Sequence, residues 1–176
     1  KDKNVVLLVT GDISDSGEKL EFALSKSFLD QIINELSISK ENCMFLPGDH
    51  DIHRRSLDNA IEDGKGDRDK AYLLHDYKFA NFANFYKEAK GKDFPFGKVI
   101  VDTIVIENKI VLVGINSNYK IDSAAGEGYI VTTQFIQELS QLKASLKNET
   151  LQYVICVHHN MSAGYENKAA GQWDFD

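Results

Sequence analysis

Three short runs in this chain, Val5–Val9, Cys43–Leu46 and Tyr153–Val157, are apolar throughout, with no polar–apolar alternation. A strand with one face in water alternates, so unbroken runs predict strands buried on both faces in a sheet covered by helices. Each run stops abruptly at side chains rich in oxygen and nitrogen. The first leads into Thr10-Gly11-Asp12-Ile13-Ser14-Asp15-Ser16-Gly17, the second into Pro47-Gly48-Asp49-His50-Asp51-Ile52-His53-Arg54-Arg55, and the third into His158-His159-Asn160. Pro47 has no N–H to give a ladder and Gly48 permits a sharp turn, so the second strand ends there.

Between the first two runs, Asp15 with Glu18 has the spacing of a helix-opening capping pair. Phe22, Ser25, Phe28, Leu29, Ile32, Ile33 and Leu36 then keep helical spacing, which predicts a helix from Glu18 to about Leu36. A strand–helix–strand unit of this kind carries its chemistry at the carboxyl ends of its strands. The polar, glycine-containing stretch 56–69 reads as a surface loop. From Ala71 to about Lys90 the pattern is helical with an aromatic stripe, Tyr72, Tyr77, Phe79, Phe82, Phe85 and Tyr86. Such a stripe is core or a packed lid, with stacking on a base or sugar as the other reading. Strands follow at 98–101, 103–106 and 110–115, the first two separated by Asp102, the last two by a hairpin turn at Glu107-Asn108-Lys109. Asn116-Ser117-Asn118 lies just past a strand end, and Thr132 or Thr133 opens a helix running to about Lys147, with Phe135, Ile136, Leu139, Leu142 and Leu146 on one face. No repeat or linker interrupts the chain, so residues 1–176 are expected to form a single domain.

Composition narrows the class. At 43% hydrophobic and 27% charged residues, the chain has the balance of a soluble globular protein. No apolar run is long enough to span a bilayer, so no membrane partner is expected. Cys43 and Cys156 each sit in an apolar run and read as reduced core thiols, which favours an intracellular, cytoplasmic setting. A net charge of −7 argues against a nonspecific grip on nucleic acid, but bound metal ions would reverse the local field and leave nucleic acid open as a substrate.

In an open sheet the three strand ends would lie side by side, bringing Asp12, Asp49 with His50, and His158 with His159 to one rim. A carboxylate and imidazoles from different strands suit one or two divalent cations, and a pair of metals would activate water and clamp a phosphate ester. Arg54 beside them could hold phosphate oxygen. The plainer alternative is a set of solvated Asp turns with a histidine pair capping a strand. His53 and His75 read as surface residues.

The blocks Val9-Thr10-Gly11-Asp12-Ile13-Ser14-Asp15-Ser16-Gly17, Leu46-Pro47-Gly48-Asp49-His50-Asp51 and Ile155-Cys156-Val157-His158-His159 resemble, in order, the Gly-Asp, Gly-Asn-His-Asp/Glu and strand-then-His blocks of the calcineurin-like metallophosphoesterases. The resemblance implies a four-layer α/β sandwich of mixed sheets flanked by helices, with a dinuclear centre at the strand ends. It implies two divalent ions, Mn²⁺ foremost with Fe, Zn or Mg as other choices, and a metal-activated hydroxide that attacks a phosphomonoester or phosphodiester. Asp12 would bridge the metals, and Asp49 and His158 would ligate them. His50 would bind the phosphate or protonate the leaving oxygen, with Asp51 orienting it. Arg54, His159 and Asn116 would face substrate, which could be a nucleotide or nucleic acid and would make the enzyme a phosphodiesterase or nuclease.

The chain departs from the family pattern in two ways. Asp49 stands where the family has asparagine, adding a negative charge that strengthens metal binding and repels a phosphodiester. The opening Asp-X-His and closing Gly-His-X-His blocks are missing, so the chain reads as a fragment, or as one shown without its disordered ends, lacking part of the ligand set. These departures support an alternative, a catalytically weak or inactive regulatory or binding module. A finer resemblance is to metallophosphoesterase domains fused to larger bacterial multidomain proteins, which would make this chain part of a larger assembly. A mononuclear Mg²⁺ phosphatase built on Asp12 and Asp49 would leave His158 and His159 unexplained.

Overall fold

A computed structural model describes residues 5–123, 127–147 and 150–159. Two sheets carry the rim. In the first, β1 (Leu7–Thr10) pairs in parallel with β2 (Cys43–Leu46), Leu7 opposite Cys43 and Thr10 opposite Leu46. Helix α1 (Lys19–Glu35) makes the crossover between them. In the second, β4 (Ile110–Ile115) lies between β3 (Ile100–Ile106), to which it is antiparallel, and β5 (Gln152–Cys156), to which it is parallel. Helix α5 (Thr132–Leu146) connects β4 to β5. The remaining helices, α2 (Arg54–Glu62), α3 (His75–Lys78) and α4 (Ala80–Lys90), fill the stretch between β2 and β3.

Alternation along two central strands fixes the layers. In β2, Phe45 meets Phe85 of α4 edge-on at 5.4 Å. Its neighbours Met44 and Leu46 turn the other way, toward β4, where a Cβ on Gly114 would lie 2.6 Å from Leu46 Cδ2 and 2.8 Å from Met44 Sδ. Only glycine lets the two sheets approach so closely there. In β4, Leu112 joins the core shared with Phe22, Phe45, Phe82 and Phe85, whereas Val111, Val113 and Ile115 pack with Phe135, Leu142 and Leu146 of α5. The order is therefore helices, sheet, sheet, helix, a mixed α/β architecture in agreement with the four-layer expectation.

Several local expectations are corrected. The cap of α1 falls one turn later than Asp15, because Glu21 accepts from the backbone N–H of Glu18 at 3.1 Å and from Ser16 N–H at 3.0 Å. Residues 54–62 form a helix rather than a loop, since Leu57 and Ala60 bury against the fold despite the polar sequence around them. The aromatic stretch is broken into a 3-10 turn at Arg68–Leu73 and two helices, and its Phe79, Phe82, Phe85 and Tyr86 are core. Asp102 lies inside one continuous strand, paired with Lys90 and Lys92. Neither β1 nor β5 is covered on both faces among the described residues, as Leu8 and Val154 show at 41% and 46% exposure. Among the described residues no helix is long and apolar enough to cross a membrane.

His75 is also corrected, from surface to interior. It stacks on Phe79 at 6.0 Å and touches Tyr119, and burial, with the nearby positive charge of Lys78, pulls its pKa down to about 4. The folded protein thus keeps this imidazole neutral, whereas the unfolded chain takes a proton below 6.5. Its contribution is complete above that pH and is lost as pH falls toward about 4. The expected loss is about 3 kcal/mol. Urea titrations across this range should show the fall in wild type, and a flatter profile in His75→Phe, which keeps the ring packing.

Candidate metal centre

The three strand ends meet. His158, just past β5, places Nε2 at 3.4 Å from Asp12 Oδ1 and 3.3 Å from Asp49 Oδ1, the first beyond β1 and the second beyond β2. Two glycines keep the space open. Gly11 has φ +111° and a Cβ on it would run into the His158 ring, while a Cβ on Gly48 would overlap the carboxylate and backbone N of Asp12. Asp12 itself has φ 53°, the left-handed region tolerated best by Gly, Asn and Asp. Two groups of side chains bring ligand atoms within 4.8 Å of one another: Asp49, His158 and His159, and Asp12, Asp49 and His50. Asp49 is the carboxylate common to both.

A sequence model of the calcineurin-like phosphoesterases matches residues 1–174. The chain belongs to that family. No curated protein matches it.

The family's chemistry calls for divalent cations, and the donor geometry here fits one. His158 Nδ1 lies 2.8 Å from the carbonyl oxygen of Thr10. A carbonyl only accepts, so Nδ1 carries a proton there and Nε2 is the ring atom left facing the two carboxylate oxygens. A divalent cation placed among these three atoms would take the Nε2 lone pair together with an oxygen from each carboxylate. Oxygen and imidazole donors in that arrangement match Mn²⁺, Zn²⁺, Fe²⁺ or Mg²⁺ in type, with imidazole favouring the transition ions.

The neighbouring residues divide differently from the sequence expectation. Asp51 does not orient His50. Its carboxylate is fully buried and accepts from Ser14 N (2.8 Å), Ser14 Oγ (2.9 Å) and Gly48 N (2.8 Å), stitching the two acidic turns together. Burial raises its pKa, against those three donors. Adjacent side chains in a tight turn point apart, and His50 turns instead to Asp15, whose carbonyl accepts from Nδ1 at 2.7 Å with its carboxylate 3.6 Å from the same nitrogen. That hydrogen bond, followed by the charges of Asp49, Asp12 and Asp15, raises the pKa of His50. Arg54 is exposed in the first turn of α2. His53 is not a surface residue but is held between Ser56 and Glu18.

Asn116 is buried, and its amide oxygen accepts from Asn118 N–H at 2.9 Å, so it shapes its own loop below the rim. The residues that reach outward from this loop are its neighbours. Ser117 Oγ lies 2.6 Å from His159 Nδ1, and Asn118 Nδ2 donates to the carbonyl of Pro47 at 2.7 Å. His159 is buried against Gly128, where a Cβ would strike its ring, and burial together with His158 lowers its pKa to about 4. It therefore presents a neutral imidazole beside Asp49 and His158, close enough to share a cation with them.

Proposed function

We propose that this chain is a metal-dependent phosphoesterase acting on a phosphomonoester or phosphodiester. The observation that carries the reading is His158, held through Nδ1 on the Thr10 carbonyl with Nε2 aimed at the carboxylates of Asp12 and Asp49. Asp12, Asp49, His158 and His159 would hold one or two divalent ions, Mn²⁺ first among them. When bound, such ions lower the pKa of water and polarise phosphoryl oxygen. His50, held by Asp15 through Nδ1, keeps Nε2 to protonate the leaving oxygen. Arg54, at the start of α2, supplies a guanidinium for a phosphate oxygen. A nucleotide fits this chemistry as well as a simple ester does.

The test is hydrolysis of bis(p-nitrophenyl) phosphate and p-nitrophenyl phosphate after chelation and after readdition of Mn²⁺. Activity should vanish with chelator and return with metal. A second reading, a binding or regulatory module, draws on Asp49, whose charge adds to Asp12 in repelling a diester. Tight Mn²⁺ binding without hydrolysis of either ester would favour that second reading.

A further inference from the structure

Behind the rim lies a buried lysine that the metal chemistry does not use. Lys78, the last residue of α3, is fully buried and donates from Nζ to the carbonyls of Asn118 (2.9 Å), Tyr119 (2.8 Å) and Ile121 (2.9 Å). An ammonium has three donors, and here all three are taken. Burial pulls its pKa down, to about 7, with Asp122 acting the other way. The three carbonyls oppose the fall as well, since a neutral amine would turn a lone pair toward one of them. The carbonyl of Lys78 also accepts from His53 N–H at 2.9 Å, at the entrance to α2.

The loop gripped by this ammonium touches both sides of the rim. Ser117 contacts His159, Asn118 contacts the Pro47 carbonyl one residue before Gly48-Asp49, and Tyr129 N–H closes the loop onto the Ser117 carbonyl at 2.8 Å. We propose that Lys78 is a positioning residue for the metal centre, acting through Asn118 on the Asp49 turn and through Ser117 on His159. The proposal rests on the metal-binding reading above. Partners that orient a ligand from behind change metal affinity by about 10–100-fold when removed. A lysine serving the core alone would change stability and leave affinity as it was.

The experiment titrates Mn²⁺ calorimetrically, and Co²⁺ by its visible d–d absorption, into the wild-type chain, Lys78→Met, Asn118→Ala and Ser117→Ala. Lys26→Met, on α1 and ion-paired with Asp30, serves as control. Lys78→Met retains the stem volume while losing three hydrogen bonds. If it fails to fold, the other two variants each cut one arm of the same path. Expected are a tenfold or greater loss of Mn²⁺ affinity and an altered Co²⁺ spectrum in the folded variants, with the control unchanged. Folded variants that melt lower but bind both ions as wild type does would overturn the positioning role. A wild type that binds neither ion would overturn the metal-centre reading, and this inference with it.

Discussion

His50→Ala is expected to reduce kcat on an alkyl phosphodiester by about 10²–10⁴-fold, the usual worth of a positioned general acid. The deficit should shrink on a p-nitrophenyl ester, whose leaving oxygen departs without needing a proton. Mn²⁺ affinity should stay at the wild-type level, because the imidazole is engaged at Nδ1 by the Asp15 carbonyl and half its side chain faces solvent. His158→Ala should behave in the opposite way and lose the metal. The contrast is informative because His50 also lies close enough to Asp12 and Asp49 to share a cation with them. If affinity and turnover fell together in His50→Ala, with no dependence on the leaving group, His50 would be a ligand and the proton would come from elsewhere. His50→Gln sharpens the distinction, as glutamine can hydrogen-bond a phosphoryl oxygen but cannot deliver a proton.

The rim was readable because strand ends are readable. Apolar runs locate β1, β2 and β5, the Gly-containing turns locate their ends, and sheet geometry makes Asp12, Asp49 and His158 neighbours without any knowledge of side-chain direction. Direction is where the sequence falls short. Nothing in Asp49-His50-Asp51 says that Asp51 points into the protein toward Ser14 while His50 points out toward Asp15. The same holds for Asn116, whose amide is spent on its own loop, and for Ser117 beside it, which reaches His159. Lys78 left only a faint trace, a lone cation between Tyr77 and Phe79 in an aromatic segment. Its partners are backbone carbonyls some forty positions later, and carbonyls carry no sequence signature. Helix α2 was hidden for a related reason, since two buried residues from a polar stretch are too few to show a period.

Asp102 shows the same blindness with a larger energetic consequence, because a charge within an apolar strand looks like a break until its partners are known. Its carboxylate is wholly buried, with Oδ2 3.0 Å from Lys90 Nζ and Oδ1 2.8 Å from Lys92 Nζ, and Oδ1 also accepts from Thr103 N–H at 2.9 Å. Lys92 is half exposed and can return to water, but Lys90 is only 4% exposed. Lys90 also donates to the Cys43 carbonyl, so one ion pair joins β3, the end of α4 and β2 across both sheets. Asp102→Ala leaves that ammonium buried without its counter-charge, and the expected cost is about 3–5 kcal/mol. Against a typical domain stability of about 5–15 kcal/mol, that is enough to move the urea midpoint far toward zero. The cost belongs to the orphaned charge rather than to the strength of the pair, so Asp102→Leu combined with Lys90→Met should recover most of it. Lys92→Met alone should cost much less, since its charge is already shared with solvent. Equal losses in Asp102→Ala and in the double variant would mean that the strand needs the carboxylate itself, through its bond to Thr103, and that the buried lysine finds water without it.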